Sequence, residues 1–129
     1  MEEILCIDVT ITERRELRKG WYSVRDIRFD AEAESRWFHG KAQPGARDLQ
    51  KRLGSHILRL CADYVLEGHD FTGSPCTIHI IKVNRGLGWK PTVSMDSKAL
   101  AFLNGKCTAV LERRPQGPLV KIYAETNIQ

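Results

Sequence analysis

Apolar and polar residues alternate over residues 4–12 (ILCIDVTIT): Leu5, Ile7, Val9 and Ile11 fall on one side, Asp8 and Thr10 on the other. A period of two predicts a half-buried strand. The charged stretch 13–20 (ERRELRKG) reads as an exposed connection ending at Gly20. Residues 21–30 (WYSVRDIRFD) predict a second strand, with Ile27 and Phe29 on one face. Val24 is out of step with them, which predicts a bulge near Arg25. Beyond a turn-like DAEAE, residues 35–42 (SRWFHGKA) predict a third strand carrying Trp37 and Phe38.

The period then changes. After Pro44-Gly45, the residues Leu49, Leu53, Ile57, Leu60 and Tyr64 recur at spacings of four, four, three and four. That spacing predicts one face of a long helix, widened by Leu58, Cys61 and Val65. Arg47, Gln50, Lys51, Arg52 and Arg59 fall largely on its other side, and Gly68 is placed to stop it. Residues 76–83 (CTIHIIKV) are β-branched and nearly all apolar, as expected of a central strand. A glycine-containing loop, 84–92, precedes SMDSKALAFLNG, which predicts a short helix. Ser94 or Asp96 would cap it, Ala99, Leu100 and Leu103 would be buried, and Gly105 would end it. Residues 107–113 and 119–125 predict a closing hairpin around Arg114-Pro115-Gln116-Gly117-Pro118. The order β-β-(β)-α-β-α-β-β predicts a single α+β domain over residues 1–129. Its architecture would be one mostly antiparallel sheet with the long helix packed on one face.

Composition agrees with a folded domain: 129 residues, 42% hydrophobic and 28% charged. Neither disorder nor a transmembrane helix fits these values and this pattern. The net charge of +4 divides into 12 basic and 11 acidic residues over 1–64, and 8 and 5 beyond, so no charged tail stands out. Cys6, Cys61, Cys76 and Cys107 sit within apolar runs, and the opening Met-Glu-Glu-Ile has no signal-peptide pattern. Reduced thiols in a cytoplasmic protein are the expectation.

Candidate chemistry is sparse. Of the four cysteines and four histidines, only Cys76 and His79 are close, and residues three apart on a strand face opposite ways. No zinc site, other metal site or cofactor is therefore expected. Cys76, with His69 near it, is the best nucleophile candidate, and a core thiol is the plainer reading. Asp26, Asp30, Glu32 and Glu34 form a carboxylate cluster around one turn that reads as a solvated rim. Gly86-Leu87-Gly88-Trp89-Lys90 lacks the spacing of a phosphate-binding loop. Basic residues beside aromatics recur: Arg14, Arg15, Arg18 and Lys19 before Trp21, and Arg85 and Lys90 around Trp89. These eight residues are the candidate protein-binding surface, since Trp and Arg anchor interfaces. Mild basicity suits an acidic partner surface.

Residues 48–113 follow a particular order. The long helix runs into a buried strand and a glycine loop. Pro91-x-x-Ser94 then opens a short helix carrying Lys98-Ala99-Leu100-Ala101-Phe102-Leu103, and a strand follows. This arrangement resembles small bacterial α+β domains, some of them immunity proteins encoded beside polymorphic toxins. The resemblance covers about half the chain. It implies a non-enzymatic protein-binding role, such as inhibition of a toxin, and transfers no functional residues. A mildly basic nucleic-acid-binding domain is the alternative. A small enzyme using His69, Cys76 or the Asp26, Asp30, Glu32 and Glu34 carboxylates is the second.

Overall fold

A computed structural model describes residues 1–84, 91–104 and 107–126. Nine strands dominate it: β1 Glu2–Lys19, β2 Tyr22–Glu34, β3 Phe38–Ala42, β4 Arg47–Leu53, β5 His56–Asp70, β6 Pro75–Asn84, β7 Thr92–Met95, β8 Cys107–Glu112 and β9 Leu119–Ala124. Among the described residues the one helical element is a 3-10 turn, Ala101–Leu103. All pairings are antiparallel, in the order β7-β6-β5-β3-β2-β1-β9-β8. Strand β4 also pairs β2 and β5, so β3 and β4 occupy one position, split lengthwise by Gln43-Pro44-Gly45-Ala46. The sheet is rolled, because residues of β1, β2, β4, β5, β6, β8 and β9 line one interior cavity.

The α+β expectation is overturned, and the reason lies in residues 47–70. The expected helix over 49–65 is a β-hairpin, β4 and β5, closed by Gly54-Ser55. Gly54 has a φ of +59° while Ser55 stays at negative φ, the geometry of a type II′ turn with glycine first. The resemblance to immunity-type domains began from that helix, so its opening element is a different structure. The second predicted helix is also absent: its first residues form β7, and the 3-10 turn follows. Asn104 holds that segment, its side chain accepting from the Met95 N–H at 2.6 Å and donating to the Met95 carbonyl at 3.1 Å. Asp96 accepts from the Thr77 N–H at 2.7 Å instead of capping a helix. The Gly105 stop lies outside the described residues.

Other strand expectations hold in kind but not in extent. Strand β1 runs on through the charged 13–19 segment, and β2 runs through the DAEAE stretch. The bulge expected near Arg25 is not there: β2 pairs regularly through Arg25–Glu16, and the one register shift of this pair lies further along, at Thr12 of β1, the extra residue between the Ile11–Phe29 and Glu13–Arg28 pairs.

Most of the core fills one end of the barrel. Ile4, Leu5, Ile7, Phe38, Leu66, Ile78, Val93, Leu100, Leu103 and Ile122 are all essentially inaccessible to solvent. Trp37 covers this end, its ring edge-on to Phe71 at 5.4 Å and its indole N–H donating to Glu2 at 2.7 Å. Arg36 grips the same carboxylate with two hydrogen bonds of 2.8 Å, tying the Ser35–Phe38 turn to the first strand. Asp70 accepts from the Ser97 hydroxyl and from the Thr72 and Ser74 N–H groups, joining the β5–β6 turn to the segment after β7.

Candidate functional site: a cationic cavity at the wide end

Residues opposite one another on neighbouring antiparallel strands project to the same side of the sheet. The registers therefore give the inner wall as successive rows. Innermost is Ile11, Phe29, Tyr64 and Ile80, tied across β1–β2 and β5–β6, with the Phe29 and Tyr64 rings edge-to-face at 5.2 Å. The next row is Arg14, Ile27, Asp48, Ala62 and Lys82. Above it lie Glu16, Arg25, Gln50 and Leu60. At the rim are Arg18, Ser23, Arg52 and Ile57. The Thr12 bulge makes this possible: it returns Arg14 to the face that Ile11 occupies, where strict alternation would have pointed Arg14 outward.

The rows enclose a cavity of about 780 Å³, within the range usual for small-molecule sites. Its depth is apolar, with Val9, Phe29, Ile80, Leu111, Val120 and Ile122 among the lining. Its lining also carries Arg14, Arg25, Arg52, Lys82, Arg113 and Arg114 together with the Asp48 carboxylate, and Glu16 faces inward beside Arg25. Arg25 reaches Glu16 at 3.6 Å, and Arg114 donates to Asp8 at 2.6 Å and to the Gly117 carbonyl at 2.9 Å. The Arg52 Nε is buried without a hydrogen-bond partner among the described residues, an expensive arrangement for a charged group. Burial pushes the pKa of Lys82 down, and the Asp48 carboxylate pulls it partly back. Burial likewise pushes the Tyr64 phenol up, keeping it neutral.

The residues singled out from sequence divide three ways. Arg14 is part of the cavity wall. Arg15, Arg18, Lys19 and Trp21 belong to the β1–β2 hairpin tip, with Trp21 80% exposed. Arg85, Trp89 and Lys90 lie outside the described residues. The residues of the enzyme reading are not gathered together. Cys76 is buried and His79 is on the opposite face, bound to Asp63 at 2.6 Å. Burial pushes the Cys76 thiol up to about 11, away from nucleophilic use. His69 is exposed at the rear of β5. The cluster of Asp26, Asp30, Glu32 and Glu34 is not on a turn: these residues alternate along the outer face of β2, where Asp26 binds Arg47 at 3.2 Å. Among the described residues no group of three His, Cys, Asp or Glu side chains is arranged to hold a metal ion.

Sequence reasoning missed Arg25, Arg52, Lys82, Arg113 and Arg114 as members of one site. Arg52 and Lys82 had been placed on a helix and in a central strand, and only the rolled sheet brings them together.

The fold and cavity define a barrel-like antiparallel β protein with a cation-lined interior. Solved structures share this fold. A protein of unknown function from Clostridium acetobutylicum ATCC 824 superimposes with a TM-score of 0.64 at 16% identity, covering 95% of this chain and 96% of its own. A β-barrel-like protein from Acinetobacter baumannii AYE gives 0.65 at 13% identity, covering 95% and 93%. A conserved protein of unknown function from Rhodopseudomonas palustris gives 0.64 at 10% identity, covering 94% and 93%. At these identities the likeness is one of fold. No protein-family model matches the chain, and no curated protein matches it in sequence. No helix among the described residues is long and apolar enough to cross a membrane.

Proposed function

We propose that this protein is a non-catalytic binding module that holds a small amphipathic anion inside the barrel. The observation that carries the reading is the polarity gradient of the cavity: an apolar floor under a lining with six cations and Asp48, in which Arg25 and Arg114 are paired with Glu16 and Asp8 and the other cations exceed Asp48 in number. An apolar tail on the floor would release water from Phe29, Ile80 and Val120. A carboxylate or similar head would meet the orphaned Arg52 Nε and the Arg14 guanidinium. The rolled sheet, whose strand order runs from β7 at one edge to β8 at the other, surrounds a space of the size one such ligand needs. The scattered positions of His69, Cys76 and the β2 carboxylates support binding over catalysis. The cysteines described as free thiols, Cys6, Cys61, Cys76 and Cys107, suit a reducing, cytoplasmic setting.

The test is calorimetric titration with dodecanoate and with dodecanol, which share a tail and differ in charge. Dodecanoate is expected to bind one per chain and at least about tenfold more tightly than dodecanol, the lower end for a hydrogen bond to a charged group. Arg52→Ala is expected to remove most of that preference. Equal affinity for the two, or no binding of either, overturns the proposal.

A further inference from the structure

The cavity is not the only cationic feature at the wide end. Strands β1 and β2 continue past it to a two-residue turn, Gly20-Trp21, and β4 and β5 to Gly54-Ser55. The two turns lie side by side, because β2 pairs β4 through Tyr22 and Leu53. The Gly54 N–H donates to the Trp21 carbonyl at 2.6 Å, and the Trp21 ring packs over Gly54. Both turns have a positive-φ glycine first, at +60° and +59°. The result is one double tip, not two independent hairpins.

This tip is apolar and basic at once. Of nine exposed large hydrophobic residues among those described, six are here: Leu17, Trp21, Tyr22, Leu53, Ile57 and Leu58. Trp21 and Leu17 are the most exposed of all nine, at 80% and 77%. Residues 14–22 and 51–59 contain seven basic side chains and one acidic, a net charge of +6 against +4 for the whole chain. The other residues are therefore net −2 together, and the protein's basicity is a property of this one end. The outer rows alternate the two characters: Leu17, Val24, Lys51 and Arg59, then Lys19, Tyr22, Leu53 and His56.

We propose that the double tip docks on an anionic lipid surface, with Trp21, Leu17 and Leu58 entering the headgroup region and Lys19, Lys51 and Arg59 against its charges. Tryptophan and tyrosine favour the membrane–water boundary, and each nearby cation adds about fivefold to binding of an acidic bilayer. Single-stranded nucleic acid would use the same charge but asks for stacking faces, and four of the six exposed apolar residues are aliphatic. A projecting tip also suits a deformable lipid layer better than a flat protein epitope. The groups named to meet the lipid lie off the cavity wall, while Arg14, Arg52 and Ile57 belong to both the tip and the cavity.

The experiment is co-sedimentation with phosphatidylcholine vesicles, with and without phosphatidylserine. The protein is expected to bind the phosphatidylserine vesicles only, and less as salt rises. Lys19→Glu with Arg59→Glu should weaken binding at least about 25-fold, fivefold for each site. Trp21→Ser should weaken it about tenfold, from the loss of one inserted aromatic side chain. All three positions lie off the cavity wall, so dodecanoate titration of the variants in solution reports folding and the cavity separately. Brominated lipid should quench more fluorescence in the native protein than in Trp21→Phe. Equal sedimentation with both vesicle types, unchanged binding by the charge-reversed variant, or capture of oligonucleotides without vesicle binding overturns the proposal. Loss of dodecanoate binding with vesicle binding intact would refute the cavity reading alone.

Discussion

Leu60 and Leu66 lie on the same strand, face the same side and differ in what surrounds them, so truncating each to alanine measures how the barrel is filled. Leu66 is fully buried, between Ala42 on β3 and Ile78 on β6. Removing three carbons from it costs about 2.4 kcal/mol in transfer free energy, at ~0.8 per methylene. If roughly half of the vacated ~80 Å³ stays empty, the cavity term adds about 1 kcal/mol. The sum, about 3.4 kcal/mol, is in the middle of the range for buried leucine. Leu60 is only half-buried and borders the existing 780 Å³ cavity. Its truncation enlarges a space already there, so the cavity term vanishes and the transfer term falls to about 1 kcal/mol. The difference, about 2.4 kcal/mol, corresponds to roughly 7–10 °C in Tm for a chain of this size. Urea unfolding of both variants, with slopes equal to the native protein's, gives the comparison directly. Equal losses for Leu60→Ala and Leu66→Ala would mean that the wide end is packed like the core, and the binding cavity would have to be abandoned.

Two further predictions concern the narrow end. Hydrogen bonds from Ser97 and Thr72, and then from the backbone at Thr72 and Ser74, hold the Asp70 carboxyl down at about 2, below its ordinary 3.8. A depressed carboxyl contributes stability that is complete above the unfolded value and lost as pH falls from 3.8 through 2. Asp70→Asn should therefore flatten the fall in Tm across that window, and an unchanged acid limb in thermal melts would show that Asp70 is not held as described. A side-chain carbon on Gly68 would come within 1.7 Å of the His39 carbonyl oxygen, which belongs to the rigid β3 backbone. Gly68→Ala should cost about 3 kcal/mol, the upper end for overpacking, and a loss under about 1 kcal/mol in urea would refute that β3–β5 approach.

Where one face of a strand is apolar and the other polar, the sequence was readable: the inward run Ile7, Val9 and Ile11, the strand around Ile78 and Ile80, and the β8–β9 hairpin were all expected. The β4–β5 hairpin was not, and the reason is physical. On β4 the inner face carries Asp48, Gln50 and Arg52, part of the wall of a charged mouth, while β5 keeps Ile57, Leu60, Ala62 and Tyr64 inward. The hairpin's outer face carries Leu49, Leu53 and Leu58, the last an extra residue in a bulge between the Lys51–Arg59 and Arg52–Ile57 pairs. Polarity on β4 is thus inverted relative to an ordinary core, and the bulge shifts the phase. What remains is leucine at intervals of three and four, which imitates a helix. Gly54-Ser55, a two-residue hairpin turn, was the signal available against that reading.

The same inversion ties the candidate site to the error. A strand whose inner face is polar has no hydrophobic reason to pair as it does. It is held by backbone hydrogen bonds to β2 and β5, and by the II′ turn at Gly54. Charges placed on that inner wall, Arg52 above all, contribute nothing to the core, and one leaves a buried donor unpaired. Such an arrangement is costly to the free protein, and an anion of the proposed kind in the mouth would offset that cost. On this argument the place where the sequence misleads about structure and the place proposed for the ligand are one place. The buried narrow end, with Leu66, Ile78 and the covering Trp37, supplies stability that offsets the unpaired charge of the wide end.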